Sequence, residues 1–294
     1  MTRIEEFGWR GTATEGVARV VSAHGDYYHL VCNEAEGEIL ARRKKSVFAG
    51  KTTRARVVAK GGNLESGQAG EAEAVRPMTG DFVRINYNPC GESLITELLP
   101  RFSHFSRKDP TSRRQAQTLA VNFDTLFVMM SLNENFSTAR VARYLDLAAD
   151  CGDAEVVVLL TKMDLREPGD ETFLQALDEE VAGRTRILHV SAVSGEGMDE
   201  IRAYTAPRRT IALIGSSGVG KSTLVNVLAG EEWQATQEIQ EWSGKGRHTT
   251  TSRELIRLPS GALVIDTPGV REIGRVGEVE EIRRKGEATH RWRK

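Results

Sequence analysis

The chain has 294 residues, 39% of them hydrophobic and 28% charged, with a formal charge of −1. That length suits two domains, or one large domain with an appendage, and the composition is ordinary for a soluble globular protein. No apolar run comes near the ~18 residues of a membrane span, and Met1-Thr2-Arg3-Ile4-Glu5-Glu6 lacks the apolar core of a signal peptide.

The three cysteines, Cys32, Cys90 and Cys151, are odd in number and about sixty residues apart. They read as reduced thiols of a cytosolic protein, not as a disulfide frame or a zinc site. Charge is unevenly spread. Residues 42–56 carry seven basic side chains (Arg42, Arg43, Lys44, Lys45, Lys51, Arg54, Arg56) and no acidic one. A second basic stretch runs from Arg101 through Arg107, Lys108, Arg113 and Arg114. Solvated faces are one reading of such runs. Two of them in the N-terminal part of the chain point to an RNA-facing surface, with Arg42, Arg43, Lys44, Lys45, Arg113 and Arg114 as candidate contacts.

In chain order, residues 1–100 predict short strands. Gly16 to Val21 and Tyr27 to Cys32 flank a His24-Gly25-Asp26 turn, and further strands are expected at Arg54 to Ala59, Asp81 to Tyr87 and Ser93 to Leu98. Five short strands without a convincing helix suggest a small OB-fold barrel. Gly61 to Ala74 reads as a loop, and residues 101–123 as a basic linker.

From Asp124 strands alternate with helices. Leu126 to Met130 is a continuous apolar run, as in a buried parallel strand. Ser137 to Asp150 has helical spacing at Val141, Leu145 and Ala148, with Ser137 as N-cap. Val156 to Leu160 delivers Thr161-Lys162-Met163-Asp164, and Ile187 to Val190 delivers Ser191-Ala192. Ile211 to Ile214 delivers Gly215-Ser216-Ser217-Gly218-Val219-Gly220-Lys221-Ser222-Thr223, and Leu263 to Ile265 delivers Asp266-Thr267-Pro268-Gly269. Each motif follows an apolar strand, where open α/β sheets bind ligands.

The residues from Gly215 to Thr223 fit G-x-x-x-x-G-K-[ST], the loop whose backbone N–H groups cradle phosphates. Lys221 can reach the β- and γ-phosphates and Ser222 can ligate Mg²⁺, while the helix opening at Lys221 turns its positive end toward them. Thr161 to Asp164 is a near match to N-K-x-D. Asp164 can accept from N1–H and the exocyclic amine of guanine, a donor pair that adenine lacks, and the Lys162 stem can lie over the base. Thr161 stands where asparagine is usual, so any tie to the phosphate loop must use a hydroxyl. In Asp266-Thr267-Pro268-Gly269, the Gly269 N–H can sense the γ-phosphate and Asp266 the metal.

Val270, next in line, cannot orient water as the glutamine of many small GTPases does. His248, in Gly244-Lys245-Gly246-Arg247-His248-Thr249-Thr250-Thr251, is the candidate for that task, the alternative being an exposed loop histidine. One of the threonines, Thr250 at the centre of the three, can complete the Mg²⁺ shell. In ordinary GTPases the phosphate loop precedes the guanine-reading motif; here it follows by about fifty residues.

With its motifs in this order, the chain resembles the circularly permuted small-ribosomal-subunit biogenesis GTPases (RsgA type). The matching residues are Gly80-Asp81-Phe82-Val83, Leu99-Pro100-Arg101, Ser131-Leu132-Asn133, Thr161 to Asp164, Gly215 to Thr223, Gly246 to Thr251 and Asp266 to Glu272, within about residues 15–275. The resemblance implies an OB-fold barrel over 1–100 that contacts ribosomal RNA and a circularly permuted α/β P-loop GTPase domain over 101–275. It also implies GTP hydrolysis to GDP with Mg²⁺, stimulated by the small ribosomal subunit, in late subunit maturation in the cytoplasm. Such proteins continue into a zinc-binding domain with three cysteines and a histidine. No cysteine follows Cys151 here, and residues 276–294 form a short charged tail, so zinc is not expected. A monomer without membrane association is expected. One alternative is a nucleotide-gated RNA-binding module with little turnover. Another, a permuted GTPase serving the large subunit, is opposed by the N-terminal barrel.

Overall fold

The computed structural model describes residues 1–44, 76–108, 116–133, 136–230 and 253–266. Strands β1 (Val17–His24), β2 (Tyr27–Cys32), β3 (Ile39–Arg43), β4 (Phe82–Asn86) and β5 (Ser93–Leu98) run in the order β1-β2-β3-β5-β4, and β4 pairs back onto β1. Among the described strands of this OB-like barrel, only β3 and β5 pair in parallel. Closure leaves no free strand edge, so a small sheet can stand without a second layer. Its interior takes alternate residues: Ala18, Val20, Tyr28, Leu30, Ala41, Val83, Ile85 and Ile95. β1 is buried along nearly its whole length because its other face meets the second domain.

β3 overlaps the start of the basic run, where Arg42 and Arg43 hide an alternating pattern around the buried Ala41. The strand expected at Arg54 to Ala59 and the loop from Gly61 to Ala74 lie outside the described residues. The short helix α1 (Arg3–Glu6) was not legible in the sequence. Docking brings it into being: Ile4 is fully buried and packs with Val17, Phe82 and Leu99.

The segment 101–123 is not a linker. It folds as an antiparallel hairpin of β6 (His104–Lys108) and β7 (Ala116–Val121). Basic side chains obscured the apolar residues Phe105, Leu119 and Ala120, which are buried in the main core, and Val121, which is buried as well.

The second domain is an α/β sheet of β8 (Thr125–Ser131), β9 (Glu155–Thr161), β10 (Arg186–His189), β11 (Thr210–Gly215), β12 (Glu254–Arg257) and β13 (Leu263–Asp266) in the order β10-β9-β8-β11-β13-β12. All neighbours pair in parallel except β12 with β13. The helices are α2 (Thr138–Ala148), α3 (Glu171–Val181), α4 (Met198–Arg202) and α5 (Lys221–Ala229). As expected, the Ser137 side chain caps α2 by accepting from the Arg140 N–H at 3.3 Å.

β8 shows why such strands read as unbroken apolar runs. Leu126, Val128 and Met130 pack with Val141, Tyr144 and Leu145 of α2 and Leu177 of α3. Phe127 and Met129 face Met198 and Ile201 of α4 and Leu224 and Val225 of α5. Each such side chain contributes roughly 1.5–3 kcal/mol on burial. Both faces are covered, so the site must form at the strand ends. The two domains share one 11-stranded sheet through a pairing of Ser22 with Glu254. No helix among the described residues is long and apolar enough to cross a membrane.

Candidate nucleotide site

β9, β8 and β11 are neighbours, so the loops leaving β9 and β11 converge at one edge of the sheet. Thr161, at the end of β9, is buried, and its hydroxyl lies 2.6 Å from the Val219 carbonyl of the phosphate loop and 3.2 Å from that of Met130. A hydroxyl thus makes the tie that Thr161 was expected to need. Lys162 takes a left-handed conformation (φ 63°), which turns the chain sharply into a one-turn 3₁₀ helix, Met163–Leu165. The Met163 side chain is buried and its N–H donates to the Val190 carbonyl at 3.2 Å.

Asp164 is exposed at this turn. One of its oxygens accepts from the buried Ser191 hydroxyl at 2.5 Å. Ser191 is held in turn by the N–H groups of Val193 and Ser194, at 3.2 and 3.0 Å. The carboxylate is therefore aimed before any ligand arrives, with its other oxygen left to meet one. Ala192 sits partly exposed beside it.

The phosphate loop leaves β11 at Gly215, where a Cβ would come within 2.7 Å of the Met129 carbonyl oxygen, so only glycine fits. Gly218 and Gly220 have φ of 75° and 102°, a region open to glycine at little cost. Val219 is buried as the loop's anchor, while Ser217 and Gly218 are exposed and Ser216 partly so. Lys221 opens α5 and lies largely buried, its Nζ donating to the Gly215 and Ser216 carbonyls at 2.9 and 2.8 Å. That contact curls the loop around its own ammonium and concentrates positive potential where backbone N–H groups and the α5 N-terminus converge.

Ser222 and Thr223 are exposed in the first turn of α5. The Ser222 hydroxyl is a hard oxygen donor of the kind Mg²⁺ takes. β13 ends beside β11 at Asp266, in register with Ala212 through Ile265. His248, Thr250 and Gly269 lie outside the described residues, as does the Asp266 side chain. Among the described residues, no group of three or more His, Cys, Asp or Glu could hold a metal ion.

Of the candidate RNA contacts, Arg42, Arg43 and Lys44 are among the described residues. Strand alternation leaves Arg42 and Lys44 exposed but turns Arg43 aside, with 17% of its side chain exposed and Asp26 at 3.5 Å. Arg42 is paired with Glu92 and stacks over Tyr27 at 4.9 Å. Lys45, Arg113 and Arg114 lie outside the described residues. A cleft of about 630 Å³ lined by Asp124, Glu155, Arg186, Tyr204 and Arg209 sits at the opposite, N-terminal ends of the strands, away from the phosphate loop.

The family model described as RsgA GTPase matches residues 98–276, a span that includes the β6–β7 hairpin. The small ribosomal subunit biogenesis GTPase RsgA 2 of Lactiplantibacillus plantarum is 37% identical over 87% of this chain, which spans 66% of that relative's length. The crystal structure of YjeQ from Thermotoga maritima has a TM-score of 0.57 at 23% identity, covering 86% of this chain and 74% of that one. That of YloQ, a circularly permuted GTPase, has a TM-score of 0.51 at 22% identity, covering 89% of this chain and 74% of that one. These two share the fold.

Proposed function

Since this chain belongs to the RsgA GTPase family, we propose that it binds GTP and GDP and hydrolyses GTP during late maturation of the small ribosomal subunit. The observation that carries this reading is the hydrogen bond from Thr161 to Val219, which joins a loop presenting a preoriented Asp164 to a glycine-rich phosphate loop. A base and a phosphate chain can be gripped at once only if these two loops are held together.

In this reading Asp164 accepts from the guanine edge, with Lys162, Met163, Ser191 and Ala192 shaping the base site. Gly215 to Thr223 wrap the phosphates, and Lys221 neutralises charge that develops on the β–γ bridge. Mg²⁺ supplies a Lewis acid to the phosphates, and Ser222, Thr250 and Asp266 would hold it. Gly269 meets the γ-phosphate and His248 orients the attacking water. The barrel, residues 1–100, faces ribosomal RNA through Arg42, Lys44 and Lys45, with Arg43, Arg113 and Arg114 adding to the field. Residues 101–275 form the catalytic domain. The protein acts in the cytoplasm as a monomer, and Cys32, Cys90 and Cys151, dispersed over β2, the turn before β5 and the segment after α2, are not placed to share a zinc ion.

The test is phosphate release from GTP with and without purified small ribosomal subunits. Slow turnover alone, raised at least tenfold by the subunits, is expected. GTP binding with no turnover in either condition would leave a binding module instead of an enzyme.

A further inference from the structure

Arg19 sits on β1 of the barrel, yet its guanidinium is fully buried in the joint with the α/β domain. It donates to four acceptors from four separate segments. These are the Phe7 carbonyl, the Gly80 carbonyl at 3.4 Å, the Asn122 carbonyl at 2.8 Å and the Thr210 hydroxyl at 3.0 Å. The group also lies over the Phe82 ring at 4.8 Å. Gly8 closes the remaining side, where a Cβ would stand 2.9 Å from Arg19 Nη1.

A buried cation is an expensive filler. Burial pushes the guanidinium down to about 9, against the opposing fields of Asp124 and Asp81, so it stays protonated at neutral pH. An apolar side chain of similar volume would fill the space without that desolvation cost. What an apolar side chain would lack is the geometry, because four acceptors can be met together in only one relative placement of the two domains.

Thr210 is gripped on every polar atom. Its N–H donates to Asp124 Oδ2 at 2.7 Å and its carbonyl accepts from the Asp124 N–H at 2.8 Å. It also begins β11, a strand buried from end to end between β8 and β13 that terminates at Gly215 of the phosphate loop. At about 3.3 Å per residue, the joint and the loop are roughly 16 Å apart along one rigid strand.

We propose that Arg19 and Thr210 form a positioning couple that joins the barrel to the strand carrying the phosphate loop, so that nucleotide occupancy and barrel stability are linked. By reciprocity, a ligand gripped by the barrel then strengthens nucleotide binding by the same factor with which nucleotide strengthens the binding of that ligand. The proposal rests on reading the phosphate loop as a nucleotide site.

The experiment is hydrogen exchange of β1 and β2 amides in the full chain, with and without GDP at 100 times its Kd. If the two domains open together, the parent barrel gains up to about 100-fold protection. In Arg19→Gln, GDP affinity should stay within about threefold while barrel protection by GDP falls close to 1. Thr210→Val removes a single hydrogen bond and keeps the test alive if the first variant misfolds; its barrel protection should drop at least threefold. Variants that exchange faster but keep the parent's GDP-induced ratio would overturn the couple, reducing Arg19 to a stabilising contact. A parent whose α/β domain is protected by GDP while its barrel is not would overturn the linkage. A parent that binds no GDP would overturn the nucleotide reading itself, and the linkage with it.

Discussion

The Thr161 hydroxyl meets the Val219 carbonyl at 2.6 Å, across 58 residues of sequence. This one contact sets the distance between the loop that presents Asp164 and the loop that wraps phosphates. Thr161→Val keeps the shape and removes the donor. It should leave a buried carbonyl unsatisfied and weaken GDP binding by roughly 1–2 kcal/mol, about five- to thirtyfold in Kd. Titration calorimetry reads this directly, and an unchanged Kd would show that the two loops are held together by other means.

Asp164→Asn should exchange base preference. Xanthine offers a carbonyl where guanine offers its amine, so the variant should lose about 2–4 kcal/mol of GTP affinity and gain affinity for xanthosine triphosphate. Ser191→Ala, which frees the carboxylate to rotate and takes the acceptor from the Val193 and Ser194 N–H groups but keeps the Asp164 charge, should cost less. Competition with both nucleotides decides it: parental GTP affinity in the aspartate variant means that the base binds elsewhere.

Hydrolysis should separate two side chains. With Val270 in place of a water-positioning group, unstimulated turnover should be slow, near the ~10⁻⁴ s⁻¹ of unassisted small GTPases. His248→Ala should lower subunit-stimulated turnover by about ten- to a thousandfold with GTP binding nearly intact. Lys221→Ala should damage binding and turnover together, because Lys221 also holds the loop's Gly215 and Ser216 carbonyls. Full stimulation of the histidine variant would remove His248 from the mechanism.

Barrel contacts with RNA should be electrostatic and local to the exposed side of β3. Neutralising Arg42 and Lys44 together should weaken subunit binding and flatten its dependence on salt by about one to two ions, without altering the GDP Kd. Arg43→Gln should do less, since that side chain is turned toward Asp26. Equal losses from all three would mean that the segment rearranges on binding.

Asp81 is fully buried and meets Arg101 through both oxygens at 2.7 Å. Burial pushes its carboxyl up, while Arg101 and the Met78 N–H pull it down. Asp81→Asn leaves the Arg101 guanidinium facing a neutral amide and should cost about 3 kcal/mol of stability. The urea unfolding of the barrel measures this, and a loss under about 1 kcal/mol would mean that solvent replaces the carboxylate.

The nucleotide motifs, the strands that deliver them and their permuted order were legible in the sequence because each is a local signal. Glycines admit the backbone turns of Gly215 to Gly220, and continuous apolar runs such as Leu126 to Met130 mark strands covered on both faces. Ser137 caps its helix within a single turn. The tertiary structure alone decided where long-range pairing overrides local composition. β6 and β7 read as basic linker, and β3 as the start of a basic run, because the apolar residues that define them, Phe105, Leu119 and Ala41, are buried by distant partners. Helix α1 is a single turn whose Ile4 fills a pocket made by β1, β4 and Leu99. Arg19, one charge in a strand of small apolar residues, gave no hint of its role. Its acceptors lie 12, 61, 103 and 191 residues away, and no periodicity records contacts that only the closing of two domains upon each other brings together.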